Sequence, residues 1–182
     1  MPLVTMEMSL KEALKKADIT PNIVPEDFTP STIINVQFPN GEDVALGNFL
    51  KPSESSETPK VTFVAPDENA KYTLLVVDPD APTKANPKWG PYRHWIITNI
   101  PGSADFSQAN EQEPYLGPGP PPKTGDHRYI FLLYKQPEAQ AVDFGTLSIE
   151  KRNNWEYQTL IEKNQLELVA VNFFISRHDD NE

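Results

Sequence analysis

Apolar positions along the chain follow two periods, and the change from one to the other comes early. Leu10, Ala13, Leu14 and Ala17 recur at the spacing of one helix face, behind Ser9-Leu10-Lys11-Glu12, which reads as a capping box. The pattern predicts an amphipathic helix over residues 9–17 that closes before Pro21, whose ring cannot continue it. After Pro21 the signal shifts to short β-branched and aromatic runs bounded by Pro, Gly and Asn. These predict strands over residues 33–38, 61–65, 72–77, 94–100 and 129–134. Tyr157, Leu160 and Ile161 mark one face of a second helix, predicted over 154–163, with Asn164 suited to a left-handed cap. Residues 166–175 return to an apolar, β-favouring run.

Residues 52–59, rich in Ser and Glu, carry too little apolar surface to offset their ordering entropy and read as a solvated loop. There is no internal repeat. The fold class that follows is mainly β, with peripheral helices near each end of the chain. Tyr72-Thr73-Leu74-Leu75-Val76-Val77 has the continuous apolar character of a buried strand, whereas residues 94–100 alternate.

Length and charge narrow the picture. A chain of 182 residues fits one domain, expected over 1–182 with an N-terminal helical segment at 1–28 and a polar tail at 176–182. It has no cysteine, so disulfides and thiolate chemistry are excluded and the setting expected is reducing and cytoplasmic. Sixteen basic against 26 acidic residues give a net charge of -10, which argues against nucleic acid as partner. No apolar run approaches the roughly 20 residues that span a bilayer, so no membrane insertion is expected.

The candidate chemistry lies in two polar islands, each leading to one of the three histidines. The first is Asp78-Pro79-Asp80-Ala81-Pro82, a proline-stiffened turn at the exit of the buried strand, followed by Lys88-Trp89-Gly90-Pro91-Tyr92-Arg93-His94. The Ala81-Pro82 bond in this turn is a candidate for the cis form. The second is Gly117-Pro118-Gly119-Pro120-Pro121-Pro122, which leads to His127-Arg128-Tyr129. Proline removes donors from the second island, so Gly119 and Gly125 are the places where backbone can approach a ligand closely.

The chain resembles the phosphatidylethanolamine-binding protein family, also called the Raf kinase inhibitor protein family. The residues that carry the resemblance are the Asp-Pro-Asp-Ala-Pro turn with its following histidine and the Gly-Pro-x-Pro-Pro segment ending in His-Arg-Tyr, within a stretch from about Thr29 to Phe174. The resemblance implies a β-sandwich with a large central antiparallel sheet and a smaller second sheet. It implies an anion pocket lined by Asp78, Ala81, Pro82, His94, Gly117, Gly119, Pro120, Pro121, His127 and Tyr129, with Trp89 and Tyr92 as its aromatic wall. The ligand class is a phosphate-like or phosphoethanolamine-like small anion, to which two imidazoles can donate while Asp78 orients one or meets an ammonium. No cofactor is implied. The family includes a carboxypeptidase Y inhibitor and regulators of kinase signalling, so a carboxypeptidase or a kinase is the protein partner implied. The N-terminal segment looks most like the inhibitor branch, which would use exposed N-terminal residues; packing of residues 9–17 on the sheet is the structural alternative.

The sequence departs from the family pattern at Pro122-Lys123, where relatives read Lys-Gly, and at Tyr92, where many have tryptophan. Only residues 176–182 follow the last strand, too few for the C-terminal helix that closes the pocket in several relatives.

Structural readings compete with functional ones. Asp80 and Arg128 read as a structural ion pair rather than as ligand groups. Trp89, Trp95 and Trp155 read also as core, and His178 as a solvated residue of the tail. Asp78, His94 and His127 would mimic a two-histidine, one-carboxylate metal site but lack an orienting shell in the sequence, so no metal is expected. With no nucleophile elbow, phosphate loop or thiol, the reading is a non-enzymatic regulatory protein. The alternatives are a phospholipid head-group binder without inhibitor activity and a weak ester hydrolase using His127 as base.

Overall fold

Strong burial on both faces of one sheet accounts for the long apolar runs. The computed structural model describes residues 3–138, 141–145, 147 and 152–179, with the side chains of residues 3–8 outside the description. In chain order the elements are α1 (Leu3–Lys16), β1 (Asn35–Gln37), β2 (Asn48–Phe49), β3 (Lys60–Thr62), β4 (Lys71–Asp78), β5 (Tyr92–Pro101), β6 (Asn110–Glu113), β7 (His127–Lys135), α2 (Tyr157–Lys163) and β8 (Glu167–Ser176). Six strands form the main sheet in the order β2-β8-β7-β4-β5-β6, and β1 pairs with β3 in a two-stranded sheet. The main sheet is antiparallel except for the β2–β8 pair.

One face, carrying Leu74, Val76, Phe131 and Phe174, packs with Val36, Phe38, Val61 and Phe63 of the small-sheet layer. The other, carrying Leu75, Val77, Ile130 and Leu132, is covered by Leu10 and Leu14 of α1 and Tyr157 of α2. Hence β4 and β7 are buried along almost their whole length, and β5 does not alternate between core and solvent as residues 94–100 suggested. This is the mainly β, two-sheet architecture with peripheral helices read from the sequence.

Several boundaries differ from the sequence expectation. Helix α1 starts at Leu3, so Ser9 lies in its interior and the capping box at Ser9 does not form. The preceding residues, rich in Leu, Met and Glu, are good helix formers and extend the helix upstream. Helix α2 starts late because Asn154 adopts φ 52° and the amides of Asn154 and Trp155 donate to the carbonyls of Trp89 and Pro91. Its left-handed residue is Gln165 at φ 53°, not Asn164. Leu166 N–H then donates to Ile161 and Gln165 N–H to Glu162, a Schellman ending.

Residues 52–59 are not simply solvated: Pro52–Glu54 forms a 3₁₀ turn and Ser55 is 0% exposed. Its polar groups have one local and one distant partner, Ser55 Oγ donating to the Lys51 carbonyl and its own carbonyl accepting from Tyr115 Oη. Strands β2 and β6 were not foreseen, since Asn110-Glu111-Gln112-Glu113 has no apolar period and its pairing is set by β5. His178 is half-buried rather than solvated.

Packing of α1 on the sheet makes a prediction. Leu14, only 1% exposed, sits among Leu75 and Ile130, so Leu14→Ala should lower the unfolding free energy by roughly 2–5 kcal/mol in urea denaturation.

Candidate anion site

Four strand ends meet at one end of the main sheet. Strand β4 leaves at Asp78, whose register partner is Tyr92 at the start of β5. Strand β7 enters at His127, whose partner is Ser176 at the end of β8. The site residues are thus gathered by pairing register, and loops 79–91 and 114–126 close over them.

His94 reaches this end through a β-bulge. Val76 pairs with Trp95 and Val77 with Arg93, leaving His94 as the extra residue. A bulge lets two consecutive side chains share a face. Trp95 accordingly joins the core facing the small sheet and packs against Tyr115, while the His94 ring lies 5.2 Å from Tyr92 and 5.1 Å from Tyr129. Arg93 points the other way, its guanidinium 5.9 Å from the Trp155 ring. The His127 ring stacks 6.4 Å from Tyr129, so both imidazoles contact the same phenol ring.

The two histidines have different chemical states. His127 Nδ1 lies 2.7 Å from Asp78 Oδ2, and Asp78 Oδ1 accepts the Asp80 amide at 2.7 Å. On the other side Thr124 Oγ1 lies 2.9 Å from His127 Nε2 and donates its own proton to the Pro121 carbonyl at 2.7 Å. With the Thr124 proton on the Pro121 carbonyl, both ring nitrogens of His127 are assigned as donors. Burial alone would lower its pKa, but the hydrogen bond and charge of Asp78, the charge of Asp80 and the Pro82 carbonyl outweigh that and raise it.

His94 is the opposite case. Burial dominates and lowers its pKa, against the opposing pull of the Leu116 carbonyl and Asp78; Arg152 and His127 lower it further. Its Nδ1 lies 2.7 Å from the Leu116 carbonyl and donates to it, so the neutral ring presents a lone pair at Nε2. The two rings thus differ in their partners: His94 Nδ1 is engaged by the Leu116 carbonyl and leaves Nε2 open, whereas both nitrogens of His127 already have partners.

The remaining predicted residues have separate places. Arg128 grips Asp80 in a bidentate pair, Nε to Oδ2 at 2.9 Å and Nη2 to Oδ1 at 2.7 Å, and its Nη1 donates to the carbonyls of Ala17 and Asp18 at the end of α1. Ala81-Pro82 is cis, as are Gly90-Pro91 and Thr20-Pro21, which were not anticipated. Trp89 donates its amide to the Ala81 carbonyl and is 44% exposed rather than in the core; Trp95 and Trp155 are core residues.

Gly117 is required by packing, because a Cβ there would lie 2.7 Å from Ser56 Cα. Gly119 and Pro121 are exposed, Gly119 has open space around it, and Pro120 is buried. Of these, Pro121 reaches the histidines, through Thr124. Lys123 adopts φ 63°, a glycine-like conformation that costs a side-chain-bearing residue about 1–2 kcal/mol.

Sequence reasoning missed Thr124, Leu116 and a buried cluster behind His94. There Glu113 accepts from Arg93 Nε at 2.6 Å and pairs with Arg152 at 3.4 Å, while Arg152 also donates to the carbonyls of Arg93, His94 and Pro114. Thr124 carried a signal, a hydroxyl three residues before a histidine. Among the described residues no group of three or more His, Asp or Glu is placed to hold a metal, and no helix is long and apolar enough to cross a membrane.

Comparison with known proteins bears on this geometry. Residues 35–174, which include both histidine motifs, match the family described as phosphatidylethanolamine-binding protein. The chain belongs to that family. A relative from Saccharomyces cerevisiae named carboxypeptidase Y inhibitor is 31% identical, covering 90% of this chain and 92% of its own. A crystal structure of carboxypeptidase Y inhibitor complexed with the cognate proteinase superposes with a TM-score of 0.84 at 28% identity, covering 95% of this chain and 97% of that one. A phosphatidylethanolamine-binding protein from Plasmodium vivax superposes at 0.82 with 25% identity, covering 93% and 97%. Membership in the family accounts for both motifs and for the two-sheet fold; it leaves the states of this chain's own histidines to the geometry above.

Those states can be measured. Relative to the ordinary value of 6.5, His127 should titrate above it and His94 below it when ring resonances are followed by NMR against pH. The sign for stability follows: the His127–Asp78 contribution is fully present below pH 6.5 and is lost as pH rises through the folded-state value. Conversely, the neutral His94 favours folding above pH 6.5 and loses that advantage as pH falls. Both rings titrating on the same side of 6.5 would contradict the assignment.

Proposed function

We propose that the chain is a non-enzymatic regulatory binding protein whose site takes a phosphate-like or phosphoethanolamine-like anion and whose protein partner is a serine carboxypeptidase. The observation that carries the anion reading is the pair of imidazoles against Tyr129 at 5.1 and 6.4 Å, one with its pKa raised by Asp78 and the other with its pKa lowered by burial. A hydrogen phosphate or phosphomonoester monoanion matches that pair: a charged oxygen beside the His127 imidazolium and a P–OH proton for the His94 Nε2 lone pair. Hydrolysis with His127 as base is less well supported, because both of its nitrogens already have partners, Asp78 and Thr124. The Pro82, Trp89 and Tyr92 side chains at the rim suit the carbon part of a small ester.

Titration with inorganic phosphate and with phosphoethanolamine should shift the ring resonances of both His94 and His127, and His94→Ala with His127→Ala should abolish the response. A stronger effect of phosphoethanolamine would identify the head group rather than free phosphate as the preferred source. Shifts confined to distant residues would remove the site assignment.

The carboxypeptidase reading is supported by the relative named carboxypeptidase Y inhibitor, with which this chain shares 31% identity over most of both lengths. The inhibitory segment proposed is the N-terminal end of α1; the side chains before Ser9 lie outside the described residues, while Leu10 and Leu14 pack on the sheet. Purified chain should inhibit carboxypeptidase Y, and a form lacking residues 1–7 should lose most of that effect. No inhibition by either form would discard the protease partner and leave the anion site standing.

A further inference from the structure

Thr124 sits on the one ring nitrogen of His127 that faces away from Asp78. Its hydroxyl proton is spent on the Pro121 carbonyl at 2.7 Å, so its oxygen accepts from Nε2 at 2.9 Å, as an anionic oxygen would. The residue is half-buried and lies between two positions of positive φ, Lys123 at 63° and Gly125 at 74°. Around Gly125 a Cβ would meet nothing within 4 Å, so open space lies beside the segment.

A second observation comes from the neighbouring strand. Ser176 is fully buried and its hydroxyl has no hydrogen-bond partner among the described residues. It is the register partner of His127. Directly opposed antiparallel residues share a face with Cβ atoms about 4.5–5.5 Å apart. A buried hydroxyl left unpaired is costly, so this one points to a group that completes it.

We propose that Thr124 is an internal occupant of the anion site: its hydroxyl holds the His127 Nε2 proton until an anionic oxygen displaces it, and the Ser176 hydroxyl then donates to the incoming group. This inference rests on the anion reading of the site. The exchange is a change of hydrogen-bond partners without covalent chemistry. Nε2–H passes from Thr124 Oγ1 to a phosphate oxygen, and Ser176 gains its missing acceptor. Binding is thereby reduced by the fraction of molecules in which Thr124 is in place.

The test measures inorganic phosphate affinity by NMR on the full chain, reading the His94 and His127 rings. Thr124→Ala, which removes the competing oxygen from an accessible loop, should tighten phosphate binding by roughly three- to tenfold. Thr124→Ser, which keeps the hydroxyl, should bind like the unaltered chain. Ser176→Ala should weaken binding by roughly three- to tenfold, and should do so in the Thr124→Ala background as well. Phosphoethanolamine should show the same gain in Thr124→Ala, since the contested contact is to a phosphate oxygen. If the unaltered chain responds to phosphate but Thr124→Ala leaves the affinity unchanged or lowers it, the displacement is wrong and the anion site stands. Failure of either histidine to respond in both proteins overturns the anion reading and this inference together.

Discussion

Two carboxylates two residues apart, at the exit of β4, meet two consecutive residues at the entry of β7, and most of the site follows from that crossing. Asp78 engages His127 and Asp80 engages Arg128, with every partner at least largely buried. Each carboxylate has further duties: Asp78 accepts the Asp80 amide, and Asp80 accepts the Arg128 amide at 2.9 Å. Removing one member of such a pair leaves its partner's charge in a dry environment, typically a loss of about 3–5 kcal/mol, so the four residues hold one another in place. They also fix what lies around them. Arg128 reaches the carbonyls at the end of α1, which binds the helix layer to the turn beside the site.

The crossing is affordable because the rest of the main sheet is dry and well packed. With helices on one face and the small sheet on the other, β4 and β7 contribute side chains to both layers, leaving polar chemistry to the strand ends. Loops are where such chemistry is ordinarily carried. Here they are restrained: the second proline-rich island is packed against the turn at Ser55 and Ser56, and Leu116 exchanges two hydrogen bonds with His94 through its amide and carbonyl.

How much was legible in the sequence depended on the range of the interaction. The runs at Tyr72-Thr73-Leu74-Leu75-Val76-Val77 and Ile130-Phe131-Leu132-Leu133 are readable because their partners supply only apolar surface, and almost any partner does so. The facing of Asp80 toward Arg128 is readable from charge and from the matched loops. Helix ends were misjudged where a distant chain segment took the backbone groups, as Trp89 and Pro91 do for residues 154 and 155. Ser176 left no trace in the sequence, since its relation to His127 exists only in the pairing of β7 with β8. The Glu113–Arg152 contact is hidden for the same reason, although Thr124, three residues from its histidine, was within reach of a local argument.

Ahead of a second irregularity between Ile97 and Ile100, the bulge at His94 divides the first part of β5 into two stretches of opposite phase. Before it, even-numbered positions such as Tyr92 and His94 look toward the small sheet; after it, odd-numbered positions such as Trp95 and Ile97 do. A single-residue insertion or deletion near position 94 would therefore not merely shorten the strand. It would restore one phase from Tyr92 to Ile97, turning either the histidine or Trp95 and Ile97 to the wrong side, so the length of this segment is constrained as tightly as its composition.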